Sequence, residues 1–507
     1  MDVFVVSLAD GSERRLGTGG FPRFSPDGRL ISFVSHWDSP AGSALFVVGT
    51  GGGKPRSIRP DFYFFRGLAA WFSDGEHLLF VGRRSQSEKL KFWITPIDGG
   101  PAVDTGFGPI HESPIKTLGL TGGLRWITGT NRAVVADNFA GDLWHLGFAA
   151  KTFQFDGDLR RIPRPYPAGA QNPNLTGDRL VFASCTTNVD VRALGVDAGR
   201  GVVRGPLERL TDNPDQSRLT SASWSGTSFA YIRTIGGGSR RPWIRDLERD
   251  QDAAINNQMT LFGVPRMSPD GSLVALSGLE VENGPLEIYS TQALSKETSI
   301  YIAPFEGGPT RKLCRDCGFP GGWTPDSRAV LIVQMDIAAQ HYEISLIPAD
   351  GGPRSPLLEC EGCRLDNPSV SRDGRWLLFT TVNSGSENLM TAAFRSDSRT
   401  SMNERNPLIA GADGGVLSPK FSPDGRLVYY VSRRDGWSCV WAQPVSPDTG
   451  GPAGDPFGVY HSHRFSSSID LGKTAGIPWI AVTDDRLILS YGETTGNVWM
   501  YEGVELD

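Results

Sequence analysis

The chain has 507 residues, 39% hydrophobic and 21% charged, which is enough apolar material to fold and more length than one hydrophobic core fills. Its formal net charge of −6, with no long run of one sign, excludes the basic footprint of a nucleic-acid-binding protein. No apolar run approaches the roughly 20 residues that span a bilayer, and 62 glycines with 35 prolines punctuate many short strands.

The N-terminal stretch Met1–Gly11 is too short and acidic for a signal peptide. Val3–Leu8, Asp10-Gly11 and Arg14–Leu16 read instead as two strands joined by a turn, the third and fourth of a four-stranded unit. The chain thus opens inside a unit, and Asn497–Tyr501 closes it on another third strand. The expected location is cytoplasmic if Met1 is the true start, and extracytoplasmic if the chain is a piece of a membrane-anchored protein.

A phrase then returns about every fifty residues: Ser/Thr-x-Asp-Gly followed by an apolar run. It stands at Ser25-Pro26-Asp27-Gly28, Ser73-Asp74-Gly75, Ser268-Pro269-Asp270-Gly271, Thr324-Pro325-Asp326-Ser327, Ser371-Arg372-Asp373-Gly374 and Ser422-Pro423-Asp424-Gly425. Weaker copies begin at Thr128, Thr176, Ser225 and Thr483. Proline pre-sets φ, aspartate bonds its own backbone and glycine accepts positive φ, so the phrase predicts a tight turn between an inner strand and a buried second strand. The turn accounts for Asp27, Gly28, Asp74, Gly75, Asp270, Gly271, Asp326, Asp373, Gly374, Asp424 and Gly425 together, without paired catalytic carboxylates. Trp71, Trp224, Trp323, Phe24 and Phe421, beside these turns, are expected to pack between units.

A third strand ends on an acidic-Gly-Gly turn, as in Phe92–Gly100, Ile300–Gly308 and Glu343–Gly352. A short polar strand such as Pro309–Leu313 follows, suited to a sheet edge. Four antiparallel strands per period describe a propeller blade. The expected fold is all-β, a β-propeller of about ten four-stranded antiparallel blades, arranged as two rings or as one ring plus a partial one. The charged, repeat-poor stretch Arg240–Met259 marks the expected seam between residues 1–250 and 251–507, with a single enlarged ring as the alternative.

These units resemble the TolB-type, WD40-like (PD40) propeller repeats, whose hallmark is the Ser-Pro-Asp-Gly turn followed by an apolar strand and a later Asp-Gly-Gly turn. Leu313–Gly318 and Gly496–Met500 are also similar to propeller regions attached to bacterial signalling proteins. The resemblance implies the fold; the fold hosts many roles.

Chemistry is sparse. Of six cysteines, Cys314/Cys317 and Cys360/Cys363 form two Cys-x-x-Cys pairs at equivalent places in successive units. Four thiolates would suit zinc, but equivalent positions around a ring do not converge, so local disulfides or reduced thiols are the competing readings. His461 and His463 share a face two residues apart and offer a weaker metal candidate, with no acidic neighbour in the sequence. Gly49–Lys54 lacks the spacing and terminal Ser/Thr of a phosphate loop, and no Gly-x-Ser-x-Gly elbow occurs. No cofactor is expected. The expected function is non-catalytic: a binding or sensing platform for a protein, peptide or glycan, with a protein or peptide partner favoured and His36–Gly42 and Ala338–Tyr342 as candidate contact loops. The alternative is a propeller lyase or hydrolase working in the central funnel.

Overall fold

The computed structural model describes residues 2–34, 44–85, 88–108, 124–126, 132–137, 142–149, 151–162, 170–176, 179–213, 216–235, 239–255, 260–261, 264–279, 298–336, 341–383, 386–412, 414–464, 466–469 and 479–502. Strands dominate. Among the described residues no helix is long and apolar enough to cross a membrane.

One blade shows how the sequence makes the fold. Leu417–Phe421, Leu427–Ser432, Cys439–Pro444 and Phe457–Tyr460 form a four-stranded sheet, paired in chain order. The second strand is buried along its whole length, as a strand covered on both faces must be. The outer strand is only partly buried along its length. Six further sheets in the described residues repeat this four-strand antiparallel order, so the chain is built of β-propeller blades.

The turn phrase carries the inner hairpins at Ser25, Ser268, Thr324, Ser371 and Ser422. Its Ser or Thr hydroxyl donates to the Asp carboxylate at 2.5–2.6 Å at Ser25, Ser268, Thr324, Ser371 and Ser422. The same hydroxyl accepts the backbone N–H five residues on, as from Leu427 at 2.9 Å. The Asp carboxylate accepts a further backbone N–H two residues on, as from Arg426 at 3.2 Å. Gly425 holds φ 71°, a conformation that favours glycine. At Ser327 a serine takes φ 59° instead, and its hydroxyl accepts the N–H of Asp270 in the neighbouring blade. The copy read at Ser225 begins two residues earlier. Ser223 plays the lead role, Ser225 stands in the aspartate's place, and Gly226 takes the positive φ.

A bulge precedes several of these turns. The inner strand slips register against its partner between Asp366 and Ser369 and between Leu417 and Lys420. In each case a residue at positive φ, Asn367 or Ser418, is followed by proline. The bulge re-aims the residue after the proline.

The chain divides into two compact units, residues 1–186 with 495–507, and residues 187–494. It passes from the first to the second within the strand Arg179–Asp197 and returns within Arg486–Glu502. The division therefore does not fall at the expected seam. The described part of Arg240–Met259 forms the strands Ser239–Asp246 and Gln251–Ala254 of an ordinary blade in the second unit. Its polarity is that of an exposed outer strand, which in sequence resembles a linker.

In the first unit the four-stranded sheets run from Gly20–Phe24 to Arg56–Ile58, Tyr63–Trp71 to Val103–Asp104, and Leu124–Trp126 to Phe155–Arg161. Asp2–Val6 and Glu13–Thr18 pair as a two-stranded sheet. Aromatic rings fill the spaces between these sheets, with Phe92, Phe107, Phe148 and Phe155 in one cluster.

In the second unit, five blades in chain order are followed by a sheet drawn from both ends of the segment. Val202–Arg209 and residues 187–197 pair in order with residues 486–494, which pair with Ile480–Val482 and Ser467–Ile469. Apolar clusters join this sheet to the blades on either side. Leu487, Leu489 and Ile480 pack with Tyr429 and Val440, and Val191, Ala481 and Ile488 pack with Leu219, Phe229 and Tyr231. The inner strands Gln216–Ala222, Arg266–Met267, Phe319–Trp323, Arg364–Val370, Leu417–Phe421 and Ile480–Val482 contact one another in a closed cycle. Side-chain hydroxyls stitch the cycle: Ser221 Oγ accepts the N–H of Met267 at 2.7 Å, and Ser418 Oγ that of Ile480 at 3.0 Å.

Ser422 is fully buried and serves two partners. Ser422→Ala strands the Leu427 N–H and is expected to cost about 1–3 kcal/mol, whereas Arg426→Ala, at the exposed corner of the same turn, stays within about 0.5 kcal/mol. Urea unfolding of the two variants reads the difference.

Candidate functional site

Position two before the Ser or Thr of each turn phrase recurs along the second unit. There it is occupied by Ser221, Arg266, Gly322, Ser369, Lys420 and Ala481. All six line one cavity of about 90 Å³, enclosed by the six inner strands. Four are small and leave space; two are cations. Gly322 is required by crowding, since a Cβ there would lie 2.9 Å from the Pro368 carbonyl of the next inner strand.

Arg266 is buried. Its guanidinium donates to the Thr220 carbonyl at 3.0 Å and lies 3.8 Å from the centre of the Trp479 ring, while its Nε has no partner. The Arg266 carbonyl in turn accepts the indole N–H of Trp323 at 2.8 Å, fixing the strand that carries it. Lys420 is partly buried. Burial, then the nearby Arg266 charge, push its ammonium down to about 7. Among the described residues no carboxylate pairs with either cation; Asp366 acts on Arg266 only through its longer-range charge. Two cations that face one cavity without a carboxylate between them are costly to bury.

Trp224 and Pro269 line the cavity from their turns. Arg372 reaches across from its own turn phrase. It donates to the Trp224 carbonyl at 3.1 Å, pairs with Asp484 at 2.5 Å, and lies over the Trp224 ring at 4.9 Å. Three turns are thereby tied together around the cavity.

The residues singled out in the sequence fall elsewhere. Asp270, Asp326, Asp373 and Asp424 hold their own turns. Burial raises Asp270, Asp326 and Asp373, but hydrogen bonds from the turn outweigh it and hold all three below the ordinary carboxylate range. Cys314, Cys317, Cys360 and Cys363 do not form a metal site. Cys314 is bonded to Cys317 and Cys360 to Cys363. Each bridge ties the end of an outer strand to the start of the next inner strand, so the sulfurs are consumed locally. His461 and His463 follow the strand Phe457–Tyr460, and the structure supplies the acidic partner that the sequence lacked: both rings face Asp435, 26 and 28 residues away in the chain. His36–Gly42 and residues 338–340 lie outside the described residues. Trp71, Trp323 and Phe421 are buried in apolar clusters. Phe24 departs from the expected packing and is 60% exposed, because the strand before its turn presents that side outward. Trp224 also departs, facing the cavity.

Sequence reasoning passed over Arg266 and Lys420 because each is an ordinary surface-type residue in a short strand. Their common place in the repeat, two before the turn hydroxyl, was the available signal.

No family model matches the chain. An uncharacterized protein of Agrobacterium fabrum is 31% identical over 167 residues, which is 33% of this chain and 49% of that protein. The chain thus spans about half the length of the curated relative it matches. Among solved structures, a TolB from Agrobacterium tumefaciens is 17% identical, covering 61% of this chain and 99% of its own, with a TM-score of 0.41. An oligogalacturonate lyase from Vibrio parahaemolyticus is 13% identical, covering 85% of this chain and 100% of its own, with a TM-score of 0.33.

Two outcomes are expected. Lys420→Met removes a poorly solvated charge and should stabilise the chain by about 1–3 kcal/mol at pH 6. The folded-state basicity of Lys420 lies below its unfolded value, so the charge penalises folding fully below pH 7 and less as pH rises above it. The gain should therefore shrink between pH 7 and 10 in urea titrations. In the second test, alkylation of the denatured, unreduced chain should leave Cys314, Cys317, Cys360 and Cys363 unmodified by peptide mass spectrometry, and the two short bridges are worth about 2 kcal/mol each.

Proposed function

We propose that the chain is a non-catalytic binding platform that takes an acidic segment of a protein or peptide partner at the cavity of its second unit. The observation that carries this reading is the Arg266–Lys420 pair, held on opposite inner strands of the closed cycle and facing one cavity, with no carboxylate to neutralise it among the described residues. A carboxylate entering there would supply the missing charge, and Trp224 and Trp479 offer aromatic surface beside it. The cavity is lined by small residues and indoles and by no histidine, aspartate or glutamate among the described residues, which fits recognition better than a paired acid and base. The scaffold suits the task, since rigid inner strands hold the charged groups while turns and loops around them are free to vary.

One observation favours the catalytic alternative. A lysine held near neutrality across a cavity from a guanidinium could abstract a proton α to a carboxylate that the guanidinium binds, as in a β-eliminating lyase acting on a polyuronate. The two readings separate in one experiment. Titration calorimetry with a glutamate-rich peptide and its glutamine counterpart should give binding of the acidic peptide alone. Arg266→Gln and Lys420→Met should each weaken it about tenfold or more, and affinity should fall as pH rises through 7. Equal binding of both peptides, or binding untouched by either substitution, overturns the proposal. Release of unsaturated uronate from an oligogalacturonate, lost in Lys420→Met, would establish the lyase instead.

A further inference from the structure

The hairpin between Leu427–Ser432 and Cys439–Pro444 places Asp435 at its tip and Cys439 at its far shoulder, opposite Ser432. Gly436 takes φ 85°, and its N–H bonds the Arg433 carbonyl at 2.8 Å. Asp435 Oδ1 accepts the Trp437 N–H at 3.2 Å, so one oxygen builds the turn and the other is left to face outward. Twenty-two residues after Cys439, the chain leaves Phe457–Tyr460 and runs past the tip as His461-Ser462-His463. His461 Nδ1 and His463 Nε2 both meet Asp435 Oδ2, at 3.1 and 2.9 Å. The buried Cys439 sulfur lies beside the same carboxylate. Asp435, Cys439, His461 and His463 each present one ligand atom, and all four atoms lie within 4.8 Å of one another.

We propose that these four residues form a structural zinc site. A tetrahedral zinc with bonds of about 2.0–2.3 Å sets its ligand atoms about 3.3–3.8 Å apart, so only small side-chain movements separate the observed cluster from a coordinated one. The donor set of one thiolate, two imidazoles and one carboxylate is of the mixed softness that suits zinc and not calcium or magnesium. On binding, the thiol proton leaves to solvent. Each imidazole binds neutral, with its remaining proton on the other ring nitrogen, and the carboxylate exchanges its hydrogen bonds for the metal. Four protein ligands leave no open position, so the role is to hold structure.

The surroundings are built for these rings. Trp437 stacks on His463 at 5.6 Å between centroids, and Trp441 meets His461 edge-on at 5.5 Å. Gly458 supplies the floor: a Cβ there would stand 2.1 Å from His461 Nε2. The ring therefore rests where any other residue would displace it, and Nδ1 is the nitrogen turned toward Asp435. His461 and His463 are 43% and 47% exposed, which gives a metal its way in. A bound ion would pin the hairpin tip to the segment that leads into the closing sheet at Ser467–Ile469.

Cobalt titration of the tag-free, chelator-treated full chain tests the site. One equivalent should bind with intense tetrahedral bands and a thiolate-to-cobalt charge-transfer band, zinc should displace it, and zinc should raise the melting temperature. His463→Ala, at an exposed position that threatens folding least, should weaken binding about a hundredfold and abolish the thermal shift. Gly458→Ala should weaken it with all four ligands present, and Cys439→Ser should remove the charge-transfer band. Substoichiometric binding, a spectrum without thiolate character, or an affinity indifferent to His463→Ala would establish a metal-free carboxylate clamp and overturn the proposal.

Discussion

A hydroxyl that donates to an aspartate two residues ahead and accepts a backbone N–H five residues ahead is the contact on which the inner hairpins at Ser25, Ser268, Thr324, Ser371 and Ser422 rest. Both partners are local, so these copies make the same turn wherever they sit. The turn fixes where the second strand starts, and hence which side chains of the inner strand face inward. Position two before the hydroxyl follows from that register. Arg266 and Lys420 reach one cavity because they hold equivalent places in two repeats, not because they are near in sequence.

Closure of the second unit is a different kind of constraint. Its last sheet takes strands from residues 187–209 and from residues 467–494, so the two ends of the segment share one sheet. The apolar clusters on both sides of that sheet supply the driving force, and its buried aliphatic residues resemble those of any other blade. Loop closure over so long a segment is entropically expensive, and the buried faces on either side must offset it. Against that background Arg266 and Lys420, which no carboxylate pairs among the described residues, stand out. A fold that closes on charge without a neighbouring carboxylate gives up stability to keep those cations in the cavity.

Sulfur is used in two ways that spacing separates. A Cys-x-x-Cys pair can bridge itself where the chain turns from an outer strand to the next inner one, and both pairs do so. Cys439 has no such neighbour and sits at the base of a hairpin whose tip carries a carboxylate. Histidines from a later segment complete the group. Nothing in the local sequence of His461 and His463 points to Asp435, because the contact is made by a hairpin that begins some thirty residues earlier.

Much of the architecture was legible because its determinants are short-range. Alternation of turn phrase and apolar run specifies strands, hairpins and their order within a blade, and these depend on contacts within a few residues. The division between units was not legible at Arg240–Met259, since an exposed outer strand and a linker share the same polarity. What the amino-acid order decided alone was the repeating blade and the conformation of its turns, both set by backbone dihedrals and hydrogen bonds between near neighbours. Tertiary structure alone decided which ends meet in the closing sheet, which cations share a cavity, and which carboxylate faces the two histidines, because each of these pairs groups that only long-range packing brings together.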